Sequence, residues 1–132
     1  MKYILDTHAW FWAMESPEKI PKRSLDILKN EENFPFGLST ISLWELAKLV
    51  EKGRITLSIP LAEWIAQALP PEFIEVIPIT PQVAIGSTQL PGPFHTDPAD
   101  QLIVSTTRSQ DAVLITADKQ IHKYGHVKTI WK

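Results

Sequence analysis

The segment Lys2 to Trp12, KYILDTHAWFW, decides how the rest of the sequence is interpreted. A short apolar run, Tyr3 to Leu5, breaks at Asp6 before an aromatic segment resumes. This pattern predicts a buried strand that ends in a carboxylate. Ligands of open parallel sheets bind just beyond the carboxyl ends of the strands, so we expect the Asp6 side chain to face a binding site. An Asp in this position also suits the N-cap of a helix that starts near His8.

The composition is that of an ordinary globular chain. The 132 residues are enough for a single domain, residues 1–132, with its own core; 44% of them are hydrophobic and 21% are charged. The lack of cysteine excludes disulfides, thiolate zinc sites and cysteine nucleophiles. Apolar runs are short and Met1 leads straight into the first predicted strand, so we expect a soluble, cytoplasmic protein. The net charge of −2 gives no global basic field, although bound cations would reverse the sign at an acidic site.

Predicted strands and helices alternate along the chain. Further strands are expected over residues 34–39, 75–79, 112–116 and 127–131. Helices are expected over residues 8–14, 22–30, 42–52, 60–69, 81–89 and 98–109, and in a short segment that Gly125 ends. Thr40 or Ser42 is the expected cap of the third of these helices, and Asp97 that of the sixth. Alternating elements with nearly continuous apolar strands predict an α/β fold, a three-layer α/β/α sandwich around a mostly parallel central sheet.

Five acidic residues occupy comparable positions in this pattern. Asp6 and Asp118 follow predicted strands, whereas Glu45, Asp97 and Asp100 lie in or before the first turns of helices. If the sheet is parallel, these carboxylates meet on one side, where they repel each other unless a divalent cation neutralises them. Oxygen ligands suit Mg²⁺ or Mn²⁺ better than zinc. The alternative is that each acid acts locally as a helix cap, a turn former or a solvated helix residue.

The acidic segments resemble those of the PIN-domain ribonucleases, notably the VapC-type toxins of bacterial toxin–antitoxin pairs. The resemblance covers essentially the whole chain and consists of Asp6 after the first strand, Glu45 after the second, DPADQLIV around Asp100, and Thr-Ala-Asp ending at Asp118. It implies that these four acids are the catalytic residues and metal ligands, with Thr116 as a polar neighbour. Gln101 departs from the family pattern, in which an Arg commonly follows the last Asp of the Asp-Pro-x-Asp segment.

The resemblance also implies an activity and partners. It implies a Mg²⁺- or Mn²⁺-dependent hydrolysis of RNA phosphodiester bonds that needs no protein nucleophile and leaves 5′-phosphate and 3′-hydroxyl ends. The implied partners are the RNA substrate, a cognate antitoxin and a second copy of the chain in a homodimer. One alternative is a non-catalytic PIN-like module that binds RNA or protein. Another is a phosphatase that forms an aspartyl phosphate, but His8 stands where the dehalogenase-like members of that class need a second Asp.

Other polar and aromatic residues carry weaker signals. Of the four histidines, His8 is the one expected to touch the site, because it follows Asp6 by two positions. Trp12 and Trp44 are candidates for lining a partner groove, although tryptophan more often packs in cores. Lys48 lies three residues after Glu45 on the same predicted helix, so it is expected either to pair with Glu45 or to contact phosphate.

Overall fold

The computed structural model describes residues 2–132; Met1, the first residue of the predicted domain, lies outside the described residues. Five parallel strands form one sheet with the order β3-β2-β1-β4-β5. The strands are β1 (Tyr3–Leu5), β2 (Phe36–Ser39), β3 (Ile74–Ile77), β4 (Val113–Ile115) and β5 (Lys128–Ile130). The predicted parallel α/β architecture is confirmed.

The helices alternate with these strands. They are α1 (Thr7–Glu15), α2 (Lys22–Lys29), α3 (Thr40–Glu51), α4 (Leu61–Gln67), α5 (Pro81–Ser87), α6 (Pro98–Ser109) and α7 (Lys119–Tyr124). Short 3-10 turns at Pro17–Lys19 and Glu31–Asn33 follow α1 and α2. Among residues 2–132, no helix has both the length and the apolarity that crossing a membrane requires.

Several predicted boundaries were wrong by two residues, including the ends of α4 at Gln67 and α5 at Ser87, and three of the differences have a visible cause. Helix α3 begins two residues earlier than expected, and its cap is Ser39, whose hydroxyl accepts from the backbone N–H of Ile41 at 3.2 Å. Strand β2 begins at Phe36, not at residue 34, because Pro35 has no N–H to give to a ladder. Strand β3 stops at Ile77 because Pro78 follows it.

The core lies on both faces of the sheet. Ile4 and Leu5 of the central strand β1 are both fully buried and belong to different hydrophobic clusters, because adjacent strand residues point to opposite faces. The Leu5 cluster includes Trp10, which is fully buried and donates from Nε1 to the carbonyl oxygen of Ala68 at 2.8 Å. Helices therefore cover both faces, as the three-layer arrangement requires.

The strand register brings the ends of three strands together. Leu5, the last residue of β1, pairs with Leu38 of β2 and with Ile115 of β4. The backbone N–H of Asp6 then donates to the carbonyl oxygen of Ile115 at 3.2 Å. The residues that follow β1, β2 and β4 consequently lie at one edge of the sheet, here called the carboxyl edge.

Candidate active site

A cleft of about 350 Å³ opens at the carboxyl edge. We call it the acidic cleft, and its lining residues are Asp6, Thr7, His8, Trp12, Glu45, Asp100, Ile103, Ala117 and Asp118. All four acids of the predicted site line this one cleft, although they come from distant parts of the sequence. The position of His8 in the lining also agrees with its expected place.

Asp6 is buried at the floor of the acidic cleft and is held from two sides. As the N-cap of α1, it accepts at Oδ1 from the backbone N–H of Ala9 at 2.8 Å. The hydroxyl of Thr116 donates to Oδ2. Burial raises the pKa of Asp6 and the Glu45 carboxylate adds to the rise, while the bonds from Thr116 and Ala9 and the nearby His8 oppose it. The capping interpretation is therefore correct, and it coexists with a place in the cleft.

Glu45 is oriented by the first turn of α1. A hydroxyl has one proton and a carboxylate can only accept, so Thr7 donates to Oε1 of Glu45. The Thr7 oxygen also lies 2.9 Å from the hydroxyl oxygen of Ser42, and these two buried hydroxyls form a second hydrogen bond. Lys48 does not neutralise Glu45, because its Nζ pairs with Glu51 at 2.9 Å. The predicted ion pair of Lys48 with Glu45, three residues earlier, was therefore wrong, because Lys48 pairs one turn farther along α3.

Asp97 and Asp100 lie at the start of α6. Asp97 is the predicted N-cap, accepting from the backbone N–H of Asp100 at 3.0 Å, and Pro98 occupies the first helical position. One carboxylate oxygen each from Glu45, Asp97 and Asp100 lies within 4.8 Å of the other two. This group of three includes Asp97, which was predicted to be a helix cap. Asp6 and Asp118 line the acidic cleft but do not belong to the group of three.

The carboxyl group of Asp100 has a strongly raised proton affinity. Burial and the repulsion of Asp97, Asp118, Glu45 and Asp6 raise its pKa to about 7. Within residues 2–132, no Lys or Arg forms an ion pair with any of these acids. A cluster of carboxylates without a cationic side chain is destabilised by mutual repulsion, which a bound divalent cation would relieve.

Asp118 completes the lining as the N-cap of α7. Its Oδ1 accepts from the backbone N–H groups of Gln120 at 2.8 Å and Ile121 at 3.2 Å. Its own N–H donates to Oγ1 of Thr116 at 3.0 Å, and the same Thr116 hydroxyl donates to Asp6. Thr116 thus joins the acids that follow β1 and β4, which is the position expected for a polar neighbour.

His95 contacts the acids, and the sequence did not single it out. Its Nε2 lies 3.1 Å from Oδ2 of Asp100. The contact is not aligned as a hydrogen bond, and Nε2 is buried without another partner among the described residues. Gln101 holds the His95 loop by donating from Nε2 to the His95 carbonyl at 3.1 Å. The pairing depends on a turn of irregular backbone, so no helical or strand periodicity could have revealed it.

The donor set of the acidic cleft fits a hard divalent cation. It offers carboxylate oxygens from several elements and contains no sulfur ligand. His122 and His126 are four residues apart, but Gly125 ends α7 between them and His122 instead contacts the Thr116 carbonyl at 2.6 Å and Thr129 at 2.8 Å. The residues that line the cleft therefore suit Mg²⁺ or Mn²⁺ better than zinc.

Comparisons with known proteins agree with this geometry. The model of the family described as PIN domain matches residues 3–127. Ribonuclease VapC22 of Mycobacterium tuberculosis is 32% identical over 130 residues, which are 97% of this chain and 97% of that protein.

Solved structures share the fold. VapBC2 from Rickettsia felis, bound to a DNA fragment from their promoter, superposes with a TM-score of 0.73 at 19% identity and covers 100% of both chains. A toxin–antitoxin complex from Klebsiella pneumoniae gives a TM-score of 0.64 at 17% identity, covering 98% of this chain and 96% of that one. At these identities the likeness is one of fold.

Proposed function

Because this chain belongs to the PIN domain family, we propose that it is a metal-dependent ribonuclease and the toxin of a toxin–antitoxin pair. The observation that carries the proposal is the convergence of Asp6, Glu45, Asp100 and Asp118 on one cleft. The similarity to Ribonuclease VapC22 over nearly the whole of both chains supports the same activity. The substrate is cellular RNA, which places the reaction in the cytoplasm.

The four acids are the proposed catalytic residues and ligands of Mg²⁺ or Mn²⁺. When bound, the cation supplies the Lewis-acid chemistry that neutralises charge on a phosphodiester and activates water for its hydrolysis. Thr116 and Thr7 fix the carboxylates of Asp6 and Glu45, so little reorganisation is needed when the substrate arrives. No side chain of the cleft has to act as a nucleophile.

Asp100 is the ligand whose protonation responds to the cation. Its pKa of about 7 means that roughly half of the metal-free molecules carry a proton on this group at neutral pH. A divalent cation favours the ionised form, and so offsets the repulsion from the neighbouring carboxylates. Metal binding and the release of this proton are therefore coupled.

An antitoxin is the proposed protein partner. An antitoxin that occupies the acidic cleft needs a cationic group, and an Arg matches carboxylates in a bidentate manner. Trp44 lies on α3 next to Glu45 and is 54% exposed, so it offers apolar area to a partner at the edge of the cleft. A homodimer formed through apolar helix faces is the proposed assembly of the toxin itself.

Cleavage of a mixed RNA pool tests the proposed activity. The purified chain should cut RNA in millimolar Mg²⁺ or Mn²⁺ and stop when the metal is chelated. Asp100→Asn should reduce cleavage by about a hundredfold or more while the fold is kept, because it removes a negative charge from the ligand set. Asp26→Asn is the matched control, since Asp26 is exposed and pairs with Lys22 on α2. Equal cleavage by wild type and Asp100→Asn would refute the metal site.

The same assay distinguishes the alternatives. A non-catalytic PIN-like module would bind RNA or a protein but leave the pool intact at every metal concentration. A phosphatase would release phosphate from monoesters and become labelled at Asp6. Growth arrest on expression, relieved by co-expressing the product of the adjacent antitoxin gene, supports the toxin assignment; harmless expression of the active enzyme contradicts it.

A further inference from the structure

A second cleft lies beside the acidic cleft at the carboxyl edge. Its volume is about 680 Å³, nearly twice that of the acidic cleft. We call it the basic cleft, and its lining residues are Arg23, Ala117, Lys119, His122, Lys123, Thr129, Ile130, Trp131 and Lys132. The proposed chemistry uses none of these side chains.

The basic cleft concentrates positive charge in a chain whose net charge is −2. Four of its lining residues are Lys or Arg and none is Asp or Glu. Within residues 2–132 none of these four side chains pairs with an Asp or Glu, and Arg23 donates from Nη1 to an oxygen of Lys132 at 3.3 Å, whereas Lys22, Lys48 and Lys128 are each paired with an acid. Exposed cations that are gathered in one cleft raise the local concentration of a polyanion.

An aromatic wall connects the two clefts. Trp131 lines the basic cleft and Trp12 lines the acidic cleft, and their ring centroids are 5.8 Å apart. Ala117 lines both clefts. The two clefts therefore form one continuous surface that runs past Ala117 and the two rings.

We propose that the basic cleft binds the single-stranded RNA that flanks the bond to be cut. The inference rests on the proposed function, which puts one phosphate of an RNA strand in the acidic cleft. Because the strand continues beyond that phosphate, the next nucleotides reach Ala117 and then the basic cleft. Lys119 and Lys123 contact their phosphates, and the ring of Trp131 stacks on a base; cations beside aromatic rings are the usual equipment of single-strand binding sites.

The salt dependence of RNA binding tests the phosphate contacts. The probe is a short fluorescein-labelled single-stranded RNA of mixed sequence, and the measurement is made in the Asp100→Asn background without added metal, so that no cleavage occurs. Lys119→Ala/Lys123→Ala should weaken binding and reduce the slope of log K against log salt by about 1.4, since each lost contact to a single strand contributes about 0.7. An unchanged slope overturns the proposal.

Two lysines at the opposite edge of the sheet provide the matched control. Lys29 ends α2 and Lys128 begins β5, so Lys29→Ala/Lys128→Ala removes the same charge from elements that also contribute to the basic cleft. This variant should keep the wild-type slope. Equal losses in both double variants would mean that RNA senses only the net charge, which also overturns the proposal.

Substitutions of Trp131 test the stacking contact. Trp131→Phe keeps an aromatic face and should retain most of the affinity, whereas Trp131→Leu keeps apolar bulk and should lose about tenfold. Melting temperatures of the two variants show whether packing against Trp12 has been preserved. Equal affinities of two folded variants would remove base stacking from the proposal and overturn the role of Trp131.

Kinetics separate a failure of this inference from a failure of the proposed function. If wild type cleaves RNA, Lys119→Ala/Lys123→Ala should raise KM and leave kcat nearly unchanged; an unchanged KM overturns the basic-cleft assignment while the ribonuclease stands. If wild type cleaves no RNA, the proposed function fails and the inference falls with it. Loss of antitoxin binding by the lysine variant, with RNA affinity intact, would assign the cleft to a protein partner and overturn the proposal.

Discussion

The acidic and basic clefts share one edge of the sheet, yet they are built differently. The carboxylates are partly or fully buried, and buried hydroxyls or backbone N–H groups hold Asp6, Glu45 and Asp118 in place. The cations of the basic cleft are exposed, and they lie on α7, at the start of α2 and after β5. The first cleft is therefore organised for fixed geometry, whereas the exposed cations of the second allow the adaptable contact that the proposed RNA strand requires.

The largest expected effects come from the acids. Asp6→Asn and Glu45→Gln should each lower kcat by about a hundredfold or more, because each removes a ligand charge. Binding of the labelled RNA without metal should stay equal or become tighter, because a repulsive charge is gone. Single-turnover cleavage and fluorescence anisotropy measure the two quantities. If a variant lost RNA binding and cleavage to the same extent, the assignment of cleavage to the acidic cleft and of RNA binding to the basic cleft would be contradicted.

Removing the hydroxyl beneath Asp6 should have the next largest effect. Thr116→Val deletes the donor to Asp6 and the acceptor of the Asp118 N–H, so we expect a 10- to 100-fold loss of activity. We also expect a stability loss of about 1–3 kcal/mol in chemical denaturation. Thr106→Val is the matched control: Thr106 is also fully buried, but its hydroxyl bonds to the Leu102 carbonyl inside α6. Equal activities of the two variants would contradict the positioning role of Thr116.

The pH dependence of stability should reveal the raised pKa of Asp100, which burial and the neighbouring carboxylates cause. The folded pKa of Asp100 is about 7, above the ordinary value of 3.8, so the folded state holds a proton that unfolding releases between these values. The metal-free protein should therefore lose this contribution to stability as pH rises from about 4 to about 7. The raised pKa of Asp6 acts in the same direction. Asp100→Asn should flatten the profile of melting temperature against pH, and a flat wild-type profile would contradict the predicted repulsion.

Mn²⁺ extends the pH experiment. A cation that binds the ionised acids should raise the melting temperature of wild type more at pH 8 than at pH 5, because protons compete with metal for Asp100. Mn²⁺ should raise the melting temperature of the Asp100→Asn variant by less than that of wild type. An equal rise of the melting temperature at both pH values would show that metal binding does not depend on the ionisation of Asp100.

The smallest effect is expected where charges are exposed and paired. Lys128→Ala breaks the 3.2 Å pair with Asp111 at the other edge of the sheet. Because both side chains are mostly exposed, the free energy of unfolding should fall by less than about 1 kcal/mol, with cleavage unchanged. Chemical denaturation and the RNA assay check this result. A larger loss of unfolding free energy would show that the Lys128–Asp111 pair contributes more to stability than an exposed ion pair normally does.

The sequence predicted the fold well because its signals are local. The apolar run at Tyr3–Leu5, the Asp97-Pro98 cap and Gly125 each act within a few residues, and their elements lie where expected. The start of α3 was missed because several neighbouring hydroxyl residues can each cap it, and the structure uses Ser39. The start of β2 at Phe36 was missed because a proline such as Pro35 is also tolerated at the first position of a strand. Element type follows from periodicity, whereas element ends depend on single hydrogen bonds.

The site was predictable only in part. The rule that strand ends converge placed the acids on one edge, and the structure brings them into one cleft. The contacts of Thr7 with Glu45 and of His95 with Asp100 depend on side-chain orientation across loops and between helices. The basic cleft escaped notice because Arg23, Lys119 and Lys132 are scattered along the sequence and meet only in the folded chain.

The capping bonds of the aspartates have a consequence for selection. Asp6, Asp97 and Asp118 each begin a helix, and Asn caps a helix nearly as well as Asp. A single nucleotide change converts an Asp codon into an Asn codon. Replacing Asp6 or Asp118 by Asn would therefore silence the proposed site in one step while the helix cap, and with it the fold, is kept. Activity and folding are separable at these two positions, so an inactive copy of this chain would persist as a folded protein.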